Sequence, residues 1–400
     1  MSKENDKNFE FKEYPKYFGY IVSETHWDRE WYLTFKEFQK WLVRLIDKLI
    51  DGLKDHPNFV SFMLDGQTCP IEDYLQIRPY NETKIKELVK DKRLVIGPFY
   101  VLADEFLESG EAMIRNLLLG HKIGKKFGHT MKVGYVPDTF GHIWQLPQIL
   151  KGFGIKYATA YRGYPPLFGN HEEWKGHNDN TPLEFYWQAP DGSSSIIMYH
   201  LLRGYGNAVD ICQNPVVIDG NKVFVQGISR ISDTWHAIKE RQLTPIQLYL
   251  NGSDHKEAEL DLPEFVEFFN NEEDIQEELN LELKHSTLEN YFEDLEKLIS
   301  RFSAKLPRSP TKTIHVDRIS PDPRSGLHGS IHPDPHKTLM DRRSSIRVEN
   351  HKELTTLIHP RKWVKGSPSH VDKTGVGSER KMRDQDLINK KHKHKTDIIE

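Results

Sequence analysis

From Tyr17 to Phe302 short apolar runs alternate with amphipathic stretches, and each run stops at a polar residue that can do chemistry. Tyr17 to Val22 predicts a strand that leads straight into His26 and Asp28. In the next stretch Phe35, Phe38, Leu42, Leu45, Ile46, Leu49 and Leu53 fall on one face at helical spacing, which predicts an amphipathic helix. Residues 59–65 read as a buried strand ending in Asp65, 85–92 as a helix, and 94–105 as a second strand ending in acids. A helix over 111–128 and a strand ending in Asp138 follow, then a helix from Pro147 to Phe153 and a strand over 155–162. Two strands surround a turn at Asp191–Gly192, and Gly204 to Val223 reads as a long loop. A helix from Ile228 to Arg241, a strand ending near Asp254, a helix at 262–269, a strand at 279–285 and a helix at 287–302 complete the series.

Strands alternating with helices predict parallel βαβ units. The expected class is α/β, a barrel-like domain of parallel strands with surrounding helices, followed by an irregular tail. The polar residues gather beyond the strands' C-terminal ends, where parallel α/β folds carry their active sites.

The pattern is lost near Pro307. Residues 311–400 hold 19 Lys and Arg against 12 Asp and Glu, and nine of the chain's 20 His, with apolar residues scattered singly. Such a segment buries too little to offset chain entropy. Two expectations stand side by side: a disordered tail, or a departure from the parent gene such as a frameshift. The expected organisation is an N-terminal extension at 1–16, a catalytic domain at 17–306 and a low-order tail at 307–400.

Composition narrows the function classes. A net charge of −4 gives no general attraction to nucleic acid. No run of about 18 apolar residues or signal-peptide core is present, so neither a membrane nor secretion is expected. The two cysteines, Cys69 and Cys212, cannot build a disulfide framework or a Cys-type zinc site, which points to a reducing, cytoplasmic setting.

His26 and Asp28 flank Trp27 just beyond a strand. Alternate residues of extended chain point the same way, so an imidazole and a carboxylate can converge on one metal. Alone the triplet says little. Asp138 and Asp254 at two further strand ends, with Trp31 beside the first, make solvated loops a poor explanation.

These stretches resemble glycoside hydrolase family 38, the α-mannosidases, and most of all its bacterial and archaeal cytosolic branch. HWDREW, LDGQ, GPFYVLADEFLESGEA, VPDTFGH, EFYWQAPDGS, NGSDH and STLENYF stand in the family's order. The resemblance implies zinc bound by His26, Asp28 and Asp138. It implies Asp138 as the nucleophile of a retaining mechanism and Asp254 as general acid, then base. Retention needs two carboxyl groups about 5–5.5 Å apart, one ionised and one protonated. Trp31 would pack under the sugar and Arg162 would support the nucleophile. Asp65, Asp104 and Tyr205 are expected to line the sugar subsite, with an α-mannoside or oligosaccharide as substrate. His142 reads first as a packed structural residue, and His255 as one that orients its neighbours.

The resemblance lacks one part. The family's fourth zinc ligand is a His in a His-Asp pair within a helical segment after the α/β domain. Here His359 and His370 stand outside any helical period, and neither precedes Asp. The basic His-rich run at 391–394 reads as a solvated terminus. Weak zinc retention and little or no mannosidase activity are therefore expected. Two other classes remain at this point: a metal-dependent carbohydrate deacetylase and a noncatalytic remnant.

Overall fold

In the computed structural model, residues 13–163, 182–218, 220–302 and 306–309 are described. All fall in one compact unit, Met1–Ile314. The tail expectations, including His359, His370 and the 391–394 run, lie outside the described residues, as do residues 1–12 of the N-terminal extension.

The elements in order are β1 (Tyr17–Thr25), α1 (Phe35–Asp55), β2 (Phe62–Leu64), α2 (Cys69–Leu75), α3 (Glu82–Lys90), β3 (Leu94–Val95), α4 (Gly110–Phe127), β4 (Val133–Val136), α5 (Leu146–Gly152) and β5 (Tyr157–Ala160). Then come β6 (Glu184–Gln188), β7 (Ser195–His200), β8 (Val216–Ile218), β9 (Asn221–Val223), α6 (Val225–Lys239), β10 (Ile246–Asn251), α7 (Leu262–Asn271), α8 (Glu273–Leu279), β11 (Leu281–His285) and α9 (Leu288–Phe302).

One sheet runs β10-β1-β2-β3, with β11 also on β1, and its pairs are parallel. The other runs β4-β5-β7-β6, parallel except for the antiparallel β6–β7 hairpin. Backbone and side-chain hydrogen bonds extend the first sheet at both of its edges. Met131 N–H donates to Ile96 O (3.0 Å) between β3 and β4. Beyond β7, Asn207 serves the open edge of β10: its Oδ1 accepts from Leu250 N–H (2.7 Å) and its Nδ2 donates to Leu248 O (3.2 Å). The side-chain amide, with Ala208 N–H donating to Leu250 O (3.0 Å), thus satisfies a strand edge that has no neighbouring strand.

Local sequence accounts for the elements. β1 is buried along almost its whole length, as a strand with neighbours on both sides and helices on its faces must be. In α1 the expected apolar face is buried from Phe38 to Leu53. Phe35 is only half-buried and instead carries the Arg29 guanidinium 4.9 Å from its ring centroid. Ser109 caps α4 by accepting from Ala112 N–H at 3.2 Å.

Three sequence expectations shift. The strand expected over 94–105 ends at Val95, because Gly97 turns the chain at φ +72° and Pro98 has no N–H to give a ladder. The loop expected over 204–223 contains the β8–β9 hairpin. Bonded chain also continues past 306: Tyr186 N–H donates to Pro307 O (2.8 Å) and Ser309 N–H to Tyr186 O (2.8 Å), along the outer edge of β6. No described helix is long and apolar enough to cross a membrane.

The start of β6 carries a pH-sensitive contact. Glu184 is fully buried and accepts from Leu243 N–H and Thr244 Oγ1, both at 2.8 Å. Burial pushes its carboxyl from 4.5 up to about 7. The folded chain therefore holds this proton more tightly than the unfolded chain. That contribution is complete below pH 4.5 and is lost as pH rises through 7, a change of about 3 kcal/mol at about 1.4 kcal/mol per unit. Half-buried His285, lowered to about 4 by desolvation, acts in the opposite sense as pH falls from 6.5. The difference between variants is therefore the clean observable. Glu184→Gln is expected to abolish the alkaline loss, seen as a smaller fall in Tm between pH 5 and 8 than in wild type. Equal falls would contradict the assignment.

Candidate active site

Every candidate residue in the described chain sits beyond the C-terminal end of a strand. β1 and β10 stay in register past their ends. His26 N–H donates to Ser253 O (3.1 Å) and His255 N–H to His26 O (2.9 Å), so His26 lies in a parallel bridge opposite Asp254. The turn that follows is anchored by Arg29, whose guanidinium forks onto Asp73 at 2.7 and 2.8 Å. His255 stacks on Phe38 (4.2 Å, 13°), and its Nε2 lies 3.2 Å from Asp28 O.

Asp65 is where the structure corrects the sequence reading. It is 0% exposed and cannot line a sugar subsite. One oxygen lies 3.1 Å from His26 Nδ1, and the other accepts from Trp27 N–H and Gln67 Nε2, both at 2.8 Å. Gln67 also donates to Trp27 O at 2.8 Å. Asp65 therefore fixes the tilt of His26 and the direction in which Nε2 points, as a carboxylate behind a ligand histidine does.

Nε2 of His26 faces an Asp28 oxygen at 3.6 Å and an Asp138 oxygen at 3.8 Å. The other oxygen of Asp138 takes a close charged contact from Arg162. Arg162 also lies over Phe140, 4.7 Å from the ring centroid. Asp104 reaches this loop by accepting from Phe140 N–H at 3.0 Å and remains partly exposed. On the opposite side Tyr205 O–H donates to Asp254 Oδ1 (2.9 Å), and its ring lies 4.7 Å from that of His26. Asp254 itself is exposed. Trp31 (61%), Phe140 (49%) and Tyr161 (37%) expose their rings.

The electrostatics of this cluster call for positive charge. Burial acts to lower His26, but Asp65, Asp28 and Asp138 overcome it and bring the ring up to about 10. Burial raises Asp28 and Asp138, against the pull of His26 on both and of Arg162 on Asp138. His26 Nε2 is buried without a hydrogen-bond partner. Neighbouring ligands on a tetrahedral zinc stand roughly 3.3–3.6 Å apart, given bonds of about 2.0–2.2 Å. The donors stand slightly wide of that, and no three-donor group among the described residues closes on a cation as it stands. The chemistry fits nonetheless: an orphaned imidazole nitrogen and two carboxylates suit zinc.

Three contributors were not singled out from sequence. Gln67 lies in the Leu-Asp-Gly-Gln stretch, and its position two residues after Asp65 at a strand end was a usable signal. Glu105, next to Asp104, is buried against His142. Glu24 is fully buried under the site; burial first, then Asp65, holds its carboxyl well above the usual range. Its strand position reads only as apolar-facing.

Comparison with known proteins adds a family to this description. The profile described as "Glycosyl hydrolases family 38 N-terminal domain" matches residues 18–312. A protein of Halalkalibacterium halodurans described as "Putative mannosylglycerate hydrolase" is 35% identical over 300 residues, which cover 73% of this chain and 32% of that protein. The crystal structure of an alpha-mannosidase from Enterococcus faecalis superposes with a TM-score of 0.62 at 32% identity, covering 74% of this chain and 30% of that one. A second Enterococcus faecalis structure, titled as a protein in glycosyl hydrolase family 38, gives 0.53 at 28% identity, covering 73% and 28%. The chain thus spans about a third of the length of these relatives.

Proposed function

Because the chain belongs to glycoside hydrolase family 38, we propose that its site hydrolyses terminal α-mannosides with retention of configuration and uses zinc as cofactor. One observation carries this reading. The two carboxylates at the site have opposite partners: Asp138 is clamped by the Arg162 cation, and Asp254 is held by the neutral hydroxyl of Tyr205. A retaining glycosidase needs two carboxylates in different surroundings, one to attack and one to give and take a proton.

The steps follow from those surroundings. Arg162 holds one Asp138 oxygen, so the other is aimed into the site. As that oxygen bonds to the anomeric carbon, the glycosidic C–O bond breaks and Asp254 gives its proton to the departing oxygen. Asp254, exposed to solvent, then takes a proton from the water that cleaves the glycosyl-aspartate ester, and Asp138 is released. Tyr205 keeps Asp254 in one orientation throughout. Trp31 offers an apolar face to the sugar, and Asp104 steadies the Asp138 loop. Zinc, held by His26, Asp28 and Asp138, would supply Lewis-acid binding of sugar oxygens. A deacetylase would need a metal-held water as nucleophile and gives Asp254 no role at a leaving oxygen. Free, buried Cys69 and Cys212 suit a reducing compartment, and we place the protein in the cytoplasm.

With three protein donors among the described residues, zinc is expected to be held weakly and turnover to depend on added zinc. Hydrolysis of an aryl α-mannoside by the full chain, with zinc titrated in, tests the function, and NMR of the first-formed sugar reads the anomer. No hydrolysis at saturating zinc, or a β-anomer first product, would overturn it. Asp65→Asn is expected to weaken zinc binding about 10- to 100-fold, since its amide would confront the Trp27 and Gln67 donors. A chelator competition titration measures this, and unchanged affinity would refute the role given to Asp65.

A further inference from the structure

Three loops meet behind Asp138, and their junction is buried and polar. Glu105, from the segment after β3, is 3% exposed, and His142, from the segment after β4, is 6% exposed. Glu105 Oε1 lies 2.7 Å from His142 Nδ1, and its Oε2 accepts from Ile143 N–H at 2.8 Å. The far nitrogen of the ring, Nε2, lies 2.8 Å from the carbonyl oxygen of Arg162, from the segment after β5. A carbonyl can only accept, so Nε2 carries a proton and donates it there. The second proton of the pair lies between Nδ1 and Glu105. His142 N–H also donates to Gly163 O (3.1 Å). Gly163 sits at φ +90°, and a Cβ there would come within 2.4 Å of Thr139 O. Only a glycine lets the Asp138 loop and the Arg162 loop touch in this way.

We propose that Glu105 and His142 form a positioning pair for the nucleophile. The pair grips the backbone of Arg162 so that its guanidinium meets Asp138, and it touches neither substrate nor zinc. This rests on the reading of Asp138 as nucleophile. Burying polar groups is costly unless they are hydrogen-bonded, as these are. The pair's position at the junction gives the burial a use: it fixes one loop's backbone against another at the distance where a small displacement would misaim the attacking oxygen.

Two substitutions separate the two ends of the ring. In His142→Gln the amide nitrogen takes the place of Nε2 and keeps the donor to Arg162 O. In His142→Asn it takes the place of Nδ1, keeping Glu105 but losing Arg162. At saturating zinc, His142→Asn is expected to lower kcat about 10- to 100-fold with KM within about threefold, and His142→Gln to stay within about fivefold of wild type. A merely structural role would lower Tm in both and leave kcat per folded molecule unchanged in both. Equal kcat in the two variants overturns the proposal. Crystal structures of the two variants supply a readout free of turnover, in which the Arg162–Asp138 contact is expected intact in His142→Gln and broken in His142→Asn. The contact surviving in His142→Asn also overturns the proposal. A wild type that never hydrolyses mannosides counts against the function reading alone, since the structural comparison still decides this one.

Discussion

Asp138→Asn is expected to lower kcat/KM for aryl α-mannosides by at least about 10⁴-fold, the scale seen when a catalytic nucleophile is removed. The amide can still accept from Arg162, so the loop should keep its shape. It can neither form the glycosyl ester nor offer a charged oxygen toward His26 Nε2, 3.8 Å away. Zinc affinity should fall as well, because one of two carboxylate donors becomes a neutral amide. Steady-state rates at saturating zinc, together with zinc content after dialysis, read the two losses separately. Residual turnover above about one part in a thousand of wild type would show that another group attacks.

Asp254→Asn should behave differently, because Asp254 pairs with a neutral hydroxyl and in the proposed mechanism gives and takes the proton. Zinc affinity is expected to stay within about threefold. Sugars and alkyl alcohols, which leave poorly without a proton, should be cleaved about 10²- to 10⁴-fold more slowly. Nitrophenolates leave unaided, so their first step should be nearly spared. The second step still lacks its base, so the glycosyl-enzyme should accumulate and appear as a burst of nitrophenolate. Equal loss across leaving groups, or loss of zinc matching that of Asp138→Asn, would contradict the assignment.

What could be read from the chain alone followed from periodicity and from residues at strand ends. The face of α1 was legible because six of its seven apolar positions are buried in one stripe. The positions of His26, Asp138 and Asp254 were legible because a strand pointed each toward the same end of the sheet. The rest depended on contacts between segments far apart in sequence. Asp65 looked like a subsite residue, since a strand-end acid reads the same whether it faces solvent or the back of a histidine. β3 was drawn too long because Tyr100 and Val101 look β-like, whereas their N–H groups go to Asn116 on α4 (2.8 and 3.2 Å). The Glu105–His142 pair spans 37 residues, and nothing in either local sequence announces the other.

The central strand has a consequence for synthesis. β1 is the first described element, yet two of its three partner strands come from the far end of the domain: Phe18 pairs with Ile246 and Tyr17 with Leu281. Roughly 230 residues must be added before the first of these ladders can form, which at about 5–20 residues per second takes about 10–50 s. Throughout that interval β2 can pair only with Ser23 to Thr25, so one edge of the apolar strand and the first part of the other stay unsatisfied, the form of segment that pairs with other chains. Newly made protein is thus at its most vulnerable on the ribosome, where chaperones that hold extended apolar segments have the most to protect.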